Sequence, residues 1–172
     1  MSNDKLKRLT LIRHANAEQD ADVRDFERPL SRKGRNEAEE MAKRSLEREF
    51  VPDLILTSAA VRTRETADVF ARILGVPARL LQAEDSLYLA DGEHILNAIR
   101  CTGPRVTHLM VICHNPGISA AAISLAPEVI TADLPTCGTL TMQFSCAWAQ
   151  IDRRAAKSPE KDAPKSSFFG FG

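Results

Sequence analysis

The sequence contains no long apolar run and no excess of charge of either sign. No stretch approaches the roughly 20 apolar residues that a bilayer-spanning helix needs, and the opening residues, MSNDKLKRLTLIRH, lack the apolar region of a signal peptide. The 23 Lys and Arg residues balance 23 Asp and Glu residues, which argues against a protein that coats nucleic acid or binds a membrane surface through basic residues. We therefore expect a cytoplasmic protein in which a bound anion meets a local cluster of positive charge.

Cysteine is scarce, and its spacing argues against metal and disulfide frameworks. The four cysteines, Cys101, Cys113, Cys137 and Cys146, form no CxxC pair and no zinc-finger spacing. In a cytoplasmic chain a disulfide framework is not expected either. We predict that most of these thiols are buried.

The length of 172 residues and the hydrophobic fraction of 44% fit one domain with a real core. The sequence shows no internal repeat, and we place the domain at residues 1–150. The last 20 residues carry five basic and two acidic residues without hydrophobic periodicity. Residues 151–172 are therefore predicted to form a flexible tail, whose three phenylalanines can dock on the domain or on a partner.

Short apolar runs alternate with helical patterns along the chain. Residues 9–12, 54–56 and 109–113 are predicted to be buried parallel strands, because each run is apolar and is followed directly by polar or small residues. Residues 139–145 alternate in polarity and predict a half-exposed edge strand.

Helix signals lie between these strands. Ser31 is a candidate N-cap for a first helix, and Gly75 ends a second. Residues 91–100 and 116–125 are predicted to form two more helices. The alternation predicts a three-layer α/β/α sandwich with a mainly parallel central sheet and helices on both faces.

Chemistry-bearing residues follow three of the predicted strands, where ligands of such sheets bind. RHAN follows the first strand, SAAVRTRET the second and CHNPG the third, and ERPLSRKG can reach the same edge. The candidate residues in these segments are Arg13, His14, Asn16, Arg28, Arg62 and His114. Outside the segments, His94 and His108 are expected to be surface or structural residues, and Arg64 is expected to be solvated because it lies two positions from Arg62 on a helix.

Two histidines and several arginines at one edge suit phosphoryl transfer without a metal or other cofactor. Arginine presents a planar set of donors that matches phosphate. A neutral histidine can attack phosphorus and form a phosphoenzyme if an acceptor holds its other nitrogen as N–H. The second histidine, kept protonated by the phosphate, would donate to a non-bridging oxygen.

Four motifs, LIRHANA, ERPLSRKGRNEA, DLILTSAAVRTRETA and VICHNPGIS, resemble the histidine phosphatase superfamily, and specifically its short SixA-type phosphohistidine phosphatase branch. The resemblance covers about residues 9–145 and implies a phosphoglycerate mutase-like fold. It implies that His14 is the phosphorylated nucleophile, that Arg13 and Arg62 clamp the phosphoryl group, and that His114 is the second pocket histidine. Arg28 and Asn16 are expected to bind substrate.

The resemblance also implies a substrate and a product, and the sequence departs from the family motif at one position. The expected reaction is metal-independent hydrolysis of phosphohistidine on a phosphotransfer or carrier protein, with inorganic phosphate as product and no nucleic acid or membrane as partner. The sequence departs from the usual Arg-His-Gly motif at Ala15, a residue that is common in SixA-like members.

The general acid is left open by the sequence. Larger members protonate an alkoxide leaving group with a carboxylic acid, and the corresponding stretch offers Glu84, Asp85, Asp91 and Glu93 without selecting one. A missing acid favours P–N substrates, because imidazole is the better leaving group. Two alternatives remain: a general small-molecule phosphomonoesterase, which needs a working acid, and a phospho-ligand binding module without turnover.

Overall fold

The structure is a computed structural model that describes residues 6–165. The strands are β1 (Lys7–Arg13), β2 (Leu54–Ser58), β3 (Leu81–Glu84), β4 (His108–Cys113), β5 (Thr139–Phe144) and β6 (Lys157–Asp162). The helices are α1 (Arg32–Glu47), α2 (Val61–Leu74), α3 (Gly92–Arg100) and α4 (Gly117–Leu125). Short 3-10 turns include Asp25–Glu27 and Asp85–Leu87.

The six strands form one sheet in the order β3-β2-β4-β1-β5-β6. β1 to β4 pair in parallel, whereas β5 and β6 are antiparallel to their neighbours. Helices α1 and α2 cover one face through an apolar cluster that includes Met41 and Phe70, and α3 and α4 cover the other through Ile99 and Ile118. The predicted three-layer sandwich with a mainly parallel sheet is confirmed.

The predicted helix boundaries agree with local capping. Ser31 Oγ accepts from the backbone N–H of Gly34 at 3.0 Å and caps α1. Gly75 has φ 69° and ends α2 in the left-handed conformation that glycine adopts without strain. Asp91 caps α3 by accepting from the N–H of His94.

Two predictions about the C-terminal part are wrong. β5 is not an edge strand, because β6 pairs with its outer side. It is not half-exposed either: even the polar Thr141 is buried, and its hydroxyl is hydrogen-bonded to that of Thr10 at 2.9 Å. Residues 157–162, predicted as part of a flexible tail, are this β6, anchored by Arg44, which donates to Asp162 at 2.8 Å. The charges of β6 hid it from a hydrophobic pattern, yet charge and proline are ordinary on an edge strand. The three tail phenylalanines lie outside the described residues.

Burial of the cysteines follows the prediction in part. Cys113 and Cys137 are buried, Cys146 is half-buried and Cys101 is exposed. β3 was not predicted, because its LQAE sequence is short, is only half apolar and is mostly exposed. Across residues 6–165, no helix is both long and apolar enough to cross a bilayer.

Candidate active site

Three adjacent strands end at one cleft. β2, β4 and β1 are neighbours in the sheet and run in parallel, so their carboxyl ends bring the segments that follow them together. The cleft has a volume of about 410 Å³. All six residues predicted for the site line it: Arg13, His14, Asn16, Arg28, Arg62 and His114.

The imidazole of His14 is held in one protonation pattern. Its Nδ1 lies 2.7 Å from the carbonyl oxygen of Ala15, and because a carbonyl can only accept, Nδ1 carries the hydrogen. Nε2 therefore has a lone pair, and Arg62 Nε donates to it at 3.3 Å. Burial, with the positive charges of Arg62, Arg13 and Arg28, lowers the pKa of His14 to about 4, so the ring is neutral at neutral pH.

The backbone after His14 is held by side chains from two helices. The N–H of Ala15 donates to Thr66 Oγ1 at 3.1 Å, and the N–H of Asn16 donates to Glu37 Oε2 at 2.9 Å. Ser31 Oγ donates to Asn16 Oδ1 at 2.7 Å. Ala15 has no positive φ, so alanine in place of the usual glycine causes no backbone strain.

A glycine allows α1 to approach this loop. A Cβ at position 34 would overlap the backbone carbonyl of Asn16. The Ser-x-x-Gly part of the ERPLSRKG segment is thereby explained: Ser31 caps α1 and bonds Asn16, and Gly34 lets the first turn pack on it. A second glycine does the same elsewhere, since a Cβ at position 117 would overlap the carbonyl of Ala90.

The three arginines reach the cleft from different elements and have different partners. Arg13 Nη1 donates to the carbonyl of Leu134 at 3.0 Å. Arg62 is 3% exposed and donates to the backbone oxygen and the carboxylate of Asp25 at 2.6 and 3.0 Å. Arg28 donates to the other carboxylate oxygen of Asp25 at 2.8 Å. Together they form the local cluster of positive charge that a chain without net charge needs in order to bind an anion.

Asp25 is a site residue that sequence reasoning missed. Its carboxylate accepts from Tyr88 Oη at 2.5 Å as well as from Arg28 and Arg62. These donations, that of Tyr88 foremost, hold the pKa of Asp25 well below its ordinary value, so the group is an anion and not a proton donor. The available signal was its position three residues before Arg28, where a one-turn 3-10 helix brings the two side chains together.

His114 directly follows β4 and is 1% exposed. Its ring contacts His14 edge-on, with centroids 5.3 Å apart, and Tyr88 at 5.5 Å. Its Nε2 lies 2.8 Å from Ser58 Oγ. Burial, repulsion from His14 when that ring is also protonated, and the charge of Arg62 lower the pKa of His114 to about 3. The ring is therefore neutral at neutral pH in this structure, and its protonation by bound phosphate stays a prediction.

None of the four acids considered in the sequence lines the cleft. Asp91 caps α3, Glu93 pairs with Arg100 at 2.7 Å, and Glu84 lies exposed on β3. Asp85 is also exposed. Among the described residues that line the cleft, Asp25 is the one carboxylate.

The residues expected to be surface or structural are not among those that line the cleft. His94 and Arg64 are exposed. His108 is buried at the amino end of β4, where Nε2 is hydrogen-bonded to Thr10 Oγ1 at 2.9 Å and Nδ1 to the carbonyl of Val51 at 3.2 Å. It is a hydrogen-bonded core histidine at the end of the sheet opposite the cleft.

The arrangement suits nucleophilic attack on an anion. A neutral imidazole, whose Nε2 carries a lone pair and accepts from Arg62, lies among three guanidinium groups, and a second neutral imidazole contacts it edge-on. Guanidinium groups placed in this way can stabilise negative charge on a transferred group.

Comparison with known proteins agrees with this geometry. The sequence model of the histidine phosphatase superfamily (branch 1) matches residues 9–84. An uncharacterised chloroplast protein of Arabidopsis thaliana is 34% identical over 154 residues, which are 84% of this chain and 70% of that protein.

Solved structures extend the likeness to the whole fold. A protein proposed to be the phosphohistidine phosphatase SixA of Agrobacterium tumefaciens is 31% identical, with a TM-score of 0.74 over 80% of this chain and 92% of that one. The protein histidine phosphatase SixA in complex with tungstate shares the fold at 20% identity, with a TM-score of 0.76 over 93% and 99% of the two chains. The chain therefore belongs to the histidine phosphatase superfamily and is of the SixA type.

Proposed function

We propose that this phosphatase hydrolyses phosphohistidine on a protein through a covalent phosphoenzyme on His14, without a metal ion. The observation that carries the proposal is the hydrogen bond from His14 Nδ1 to the carbonyl of Ala15, which leaves Nε2 as the nucleophile. SixA-type relatives support the choice of phosphohistidine.

In the first step the lone pair of His14 Nε2 attacks phosphorus, and the P–N bond to the substrate imidazole breaks. The substrate imidazole carries a hydrogen on its other ring nitrogen, so it leaves as a neutral ring and keeps the electron pair of the broken bond on the nitrogen that held phosphorus. Arg13, Arg28 and Arg62 bind the phosphoryl oxygens and compensate their charge. In the second step water attacks phosphorus and its hydrogens stay on the phosphate that forms. The bond to Nε2 breaks, its electron pair returns to Nε2 of His14, and inorganic phosphate leaves.

The lack of a protonated carboxyl group among the described residues that line the cleft supports a P–N substrate. Asp25 is the one carboxylate among the described lining residues, and its three donors keep it ionised. An alkoxide leaving group needs a general acid, whereas imidazole leaves more readily. The site is thus better suited to phosphohistidine than to simple phosphate esters.

The surface beside the cleft supports a protein substrate. Leu89 lines the cleft, is 57% exposed and has φ 51°, a conformation that leucine rarely adopts. The residues on either side hold Leu89 in this conformation: Tyr88 is hydrogen-bonded to Asp25, and the backbone of Ala90 packs against Gly117. An apolar side chain presented in this way suits contact with the polypeptide around a phosphorylated residue.

The test measures phosphate release from a phosphohistidine-bearing phosphotransfer protein and from small phosphate esters, for the wild type and His14→Ala. We expect release from the phosphoprotein, loss of release in the variant, and an acid-labile, base-stable phosphoryl label on the wild-type chain. Preference for the esters would establish the general phosphomonoesterase instead. Phosphate binding without turnover or label would establish the binding module.

A further inference from the structure

Ser58 contacts His114 from the buried side of the cleft. It is the last residue of β2 and is fully buried. Its hydroxyl oxygen lies 2.8 Å from His114 Nε2 and accepts from the backbone N–H of Ala60 at 3.3 Å. Neither Ser58 nor this contact was singled out in the sequence.

Counting donors and acceptors assigns the hydrogen between the two side chains. A hydroxyl has one hydrogen to donate and two lone pairs. Ala60 already supplies one donor to the Ser58 oxygen, and His114 Nε2 is the acceptor that the described chain offers to its hydrogen. Were Nε2 to donate instead, the hydroxyl would accept twice and bury its own hydrogen without a partner, which is unfavourable.

The other ring nitrogen lacks a partner. His114 Nδ1 is buried and has no hydrogen-bond partner among the described residues, although the ring lines the cleft beside His14. A neutral ring that accepts at Nε2 carries its hydrogen at Nδ1. A buried N–H without a partner at the edge of an arginine-lined cleft matches an anionic oxygen as its missing acceptor.

We propose that Ser58 is a positioning residue that holds neutral His114 in the Nδ1–H form, so that this N–H donates to an oxygen of the bound phosphoryl group. The tautomer itself follows from the contacts alone. The identity of the oxygen rests on the proposed function. Ser58 and the carbonyl of Ala15 thus both fix the tautomer of a histidine, with the hydrogen on Nδ1. The two histidines nevertheless have opposite roles at the phosphoryl group: His14 offers the lone pair of Nε2, and His114 offers the hydrogen of Nδ1.

The direct test reads the tautomer in the full chain by long-range ¹H–¹⁵N NMR at neutral pH, without substrate. We expect a protonated Nδ1 and an unprotonated Nε2 for His114 in the wild type, and a shift towards the Nε2–H form in Ser58→Ala. A wild-type ring with hydrogen on Nε2, or an unchanged tautomer in Ser58→Ala, would overturn the proposal.

Variants separate positioning from stability. Ser58→Thr keeps the hydroxyl and should retain the wild-type tautomer. Ser45→Ala removes another buried hydroxyl, one that donates to the carbonyl of Met41 in α1, and should leave the signals of His114 unchanged. Should Ser58→Ala fail to fold, the wild-type and Ser58→Thr spectra still decide the assignment.

Inorganic phosphate is the ligand probe. Titration should move the Nδ1 signal of His114 in the wild type, and Ser58→Ala should bind phosphate about tenfold or more weakly, with Ser58→Thr near wild type. Equal phosphate affinity in Ser58→Ala would refute the donor role. These measurements need no turnover. If the protein failed to hydrolyse phosphohistidine, the proposed function would be refuted, but the tautomer and phosphate-binding results would still test the role of Ser58.

Discussion

Asp25 and Arg62 form an ion pair beside the nucleophile: Arg62 Nη2 donates to the carboxylate at 3.0 Å and Nη1 to the backbone oxygen of the same residue at 2.6 Å. Arg62 also donates from Nε to His14 Nε2 at 3.3 Å. The carboxylate of Asp25 therefore determines where the guanidinium stands relative to the attacking nitrogen.

Asp25→Asn tests whether this residue positions Arg62 or supplies a proton. We expect kcat/KM for the phosphoprotein to fall about ten- to a hundredfold, because small displacements of a binding group are costly in catalysis. The shape of the pH profile should stay as in the wild type, because an ionised Asp25 has no proton to donate. Loss of one limb of the profile in Asp25→Asn would show that Asp25 is the acid. Glu27→Gln, which breaks an exposed pair with Arg24, is the matched control.

The pH dependence of kcat/KM tests the state of His14. Its pKa is lowered to about 4, so the nucleophilic neutral form persists as the pH falls and is lost only near pH 4. We expect a level profile from pH 8 to about pH 5, after subtraction of the acid-catalysed background. In Arg62→Gln one lowering charge is removed, and the midpoint of the fall should move to higher pH. An inflection near pH 6.5 in the wild type would contradict the lowered pKa.

Leu89→Ala tests the surface beside the cleft. Removal of an exposed apolar contact should lower kcat/KM for the phosphoprotein several-fold and leave hydrolysis of phosphoramidate unchanged. Leu46→Ala removes a leucine that is 46% exposed at the end of α1, and it should change neither rate. Equal losses on both substrates would mean that Leu89 shapes the phosphoryl pocket and makes no specific contact with the protein substrate.

Gly34→Ala tests the close approach of α1 to the loop after His14. The added Cβ overlaps the carbonyl of Asn16, so we expect the free energy of unfolding to fall by about 1–3 kcal/mol and activity to fall with it. Gly103→Ala is the matched control, since its Cβ meets nothing within 4 Å. Denaturant unfolding and phosphate release measure the two effects, and similar values for the two variants would contradict this role of Gly34.

The lowered pKa of buried His108 predicts that the protein loses stability in mild acid. Burial and the charge of Arg8 lower its pKa in the folded state to about 4. Below pH 6.5 the unfolded chain takes up a proton that the folded chain refuses, so stability present above that pH is lost as the pH falls towards 4. The loss is about 2 kcal/mol at pH 5 for this histidine. Unfolding of His108→Asn at pH 7 and pH 5 should show a smaller difference than that of the wild type, with the exposed His94→Asn as control.

Much of the site could be predicted because its main residues are adjacent in sequence to strong local signals. β1, β2 and β4 are short apolar strands that stop at polar residues, and His14, Arg62 and His114 follow their ends within a few positions. The helix caps at Ser31 and Gly75 are likewise local. Such features depend on neighbours along the chain, which a sequence displays directly.

What only the tertiary structure decided are the partners of those residues. The pairing of Asp25 with Arg62 spans 37 positions, and the bond between Ser58 and His114 spans 56. Ser58 meets His114 because β2 and β4 are neighbours in the sheet. Asp25, after β1, meets Arg62, after β2, because these two strands flank β4. The place of β5 inside the sheet depended on β6, whose charged residues carry no hydrophobic pattern. The sequence by itself determined which groups carry the chemistry. The hydrogen of His14 is set locally by the carbonyl of Ala15, whereas the partner that sets the hydrogen of His114 comes from a distant segment, and only the tertiary structure could show it.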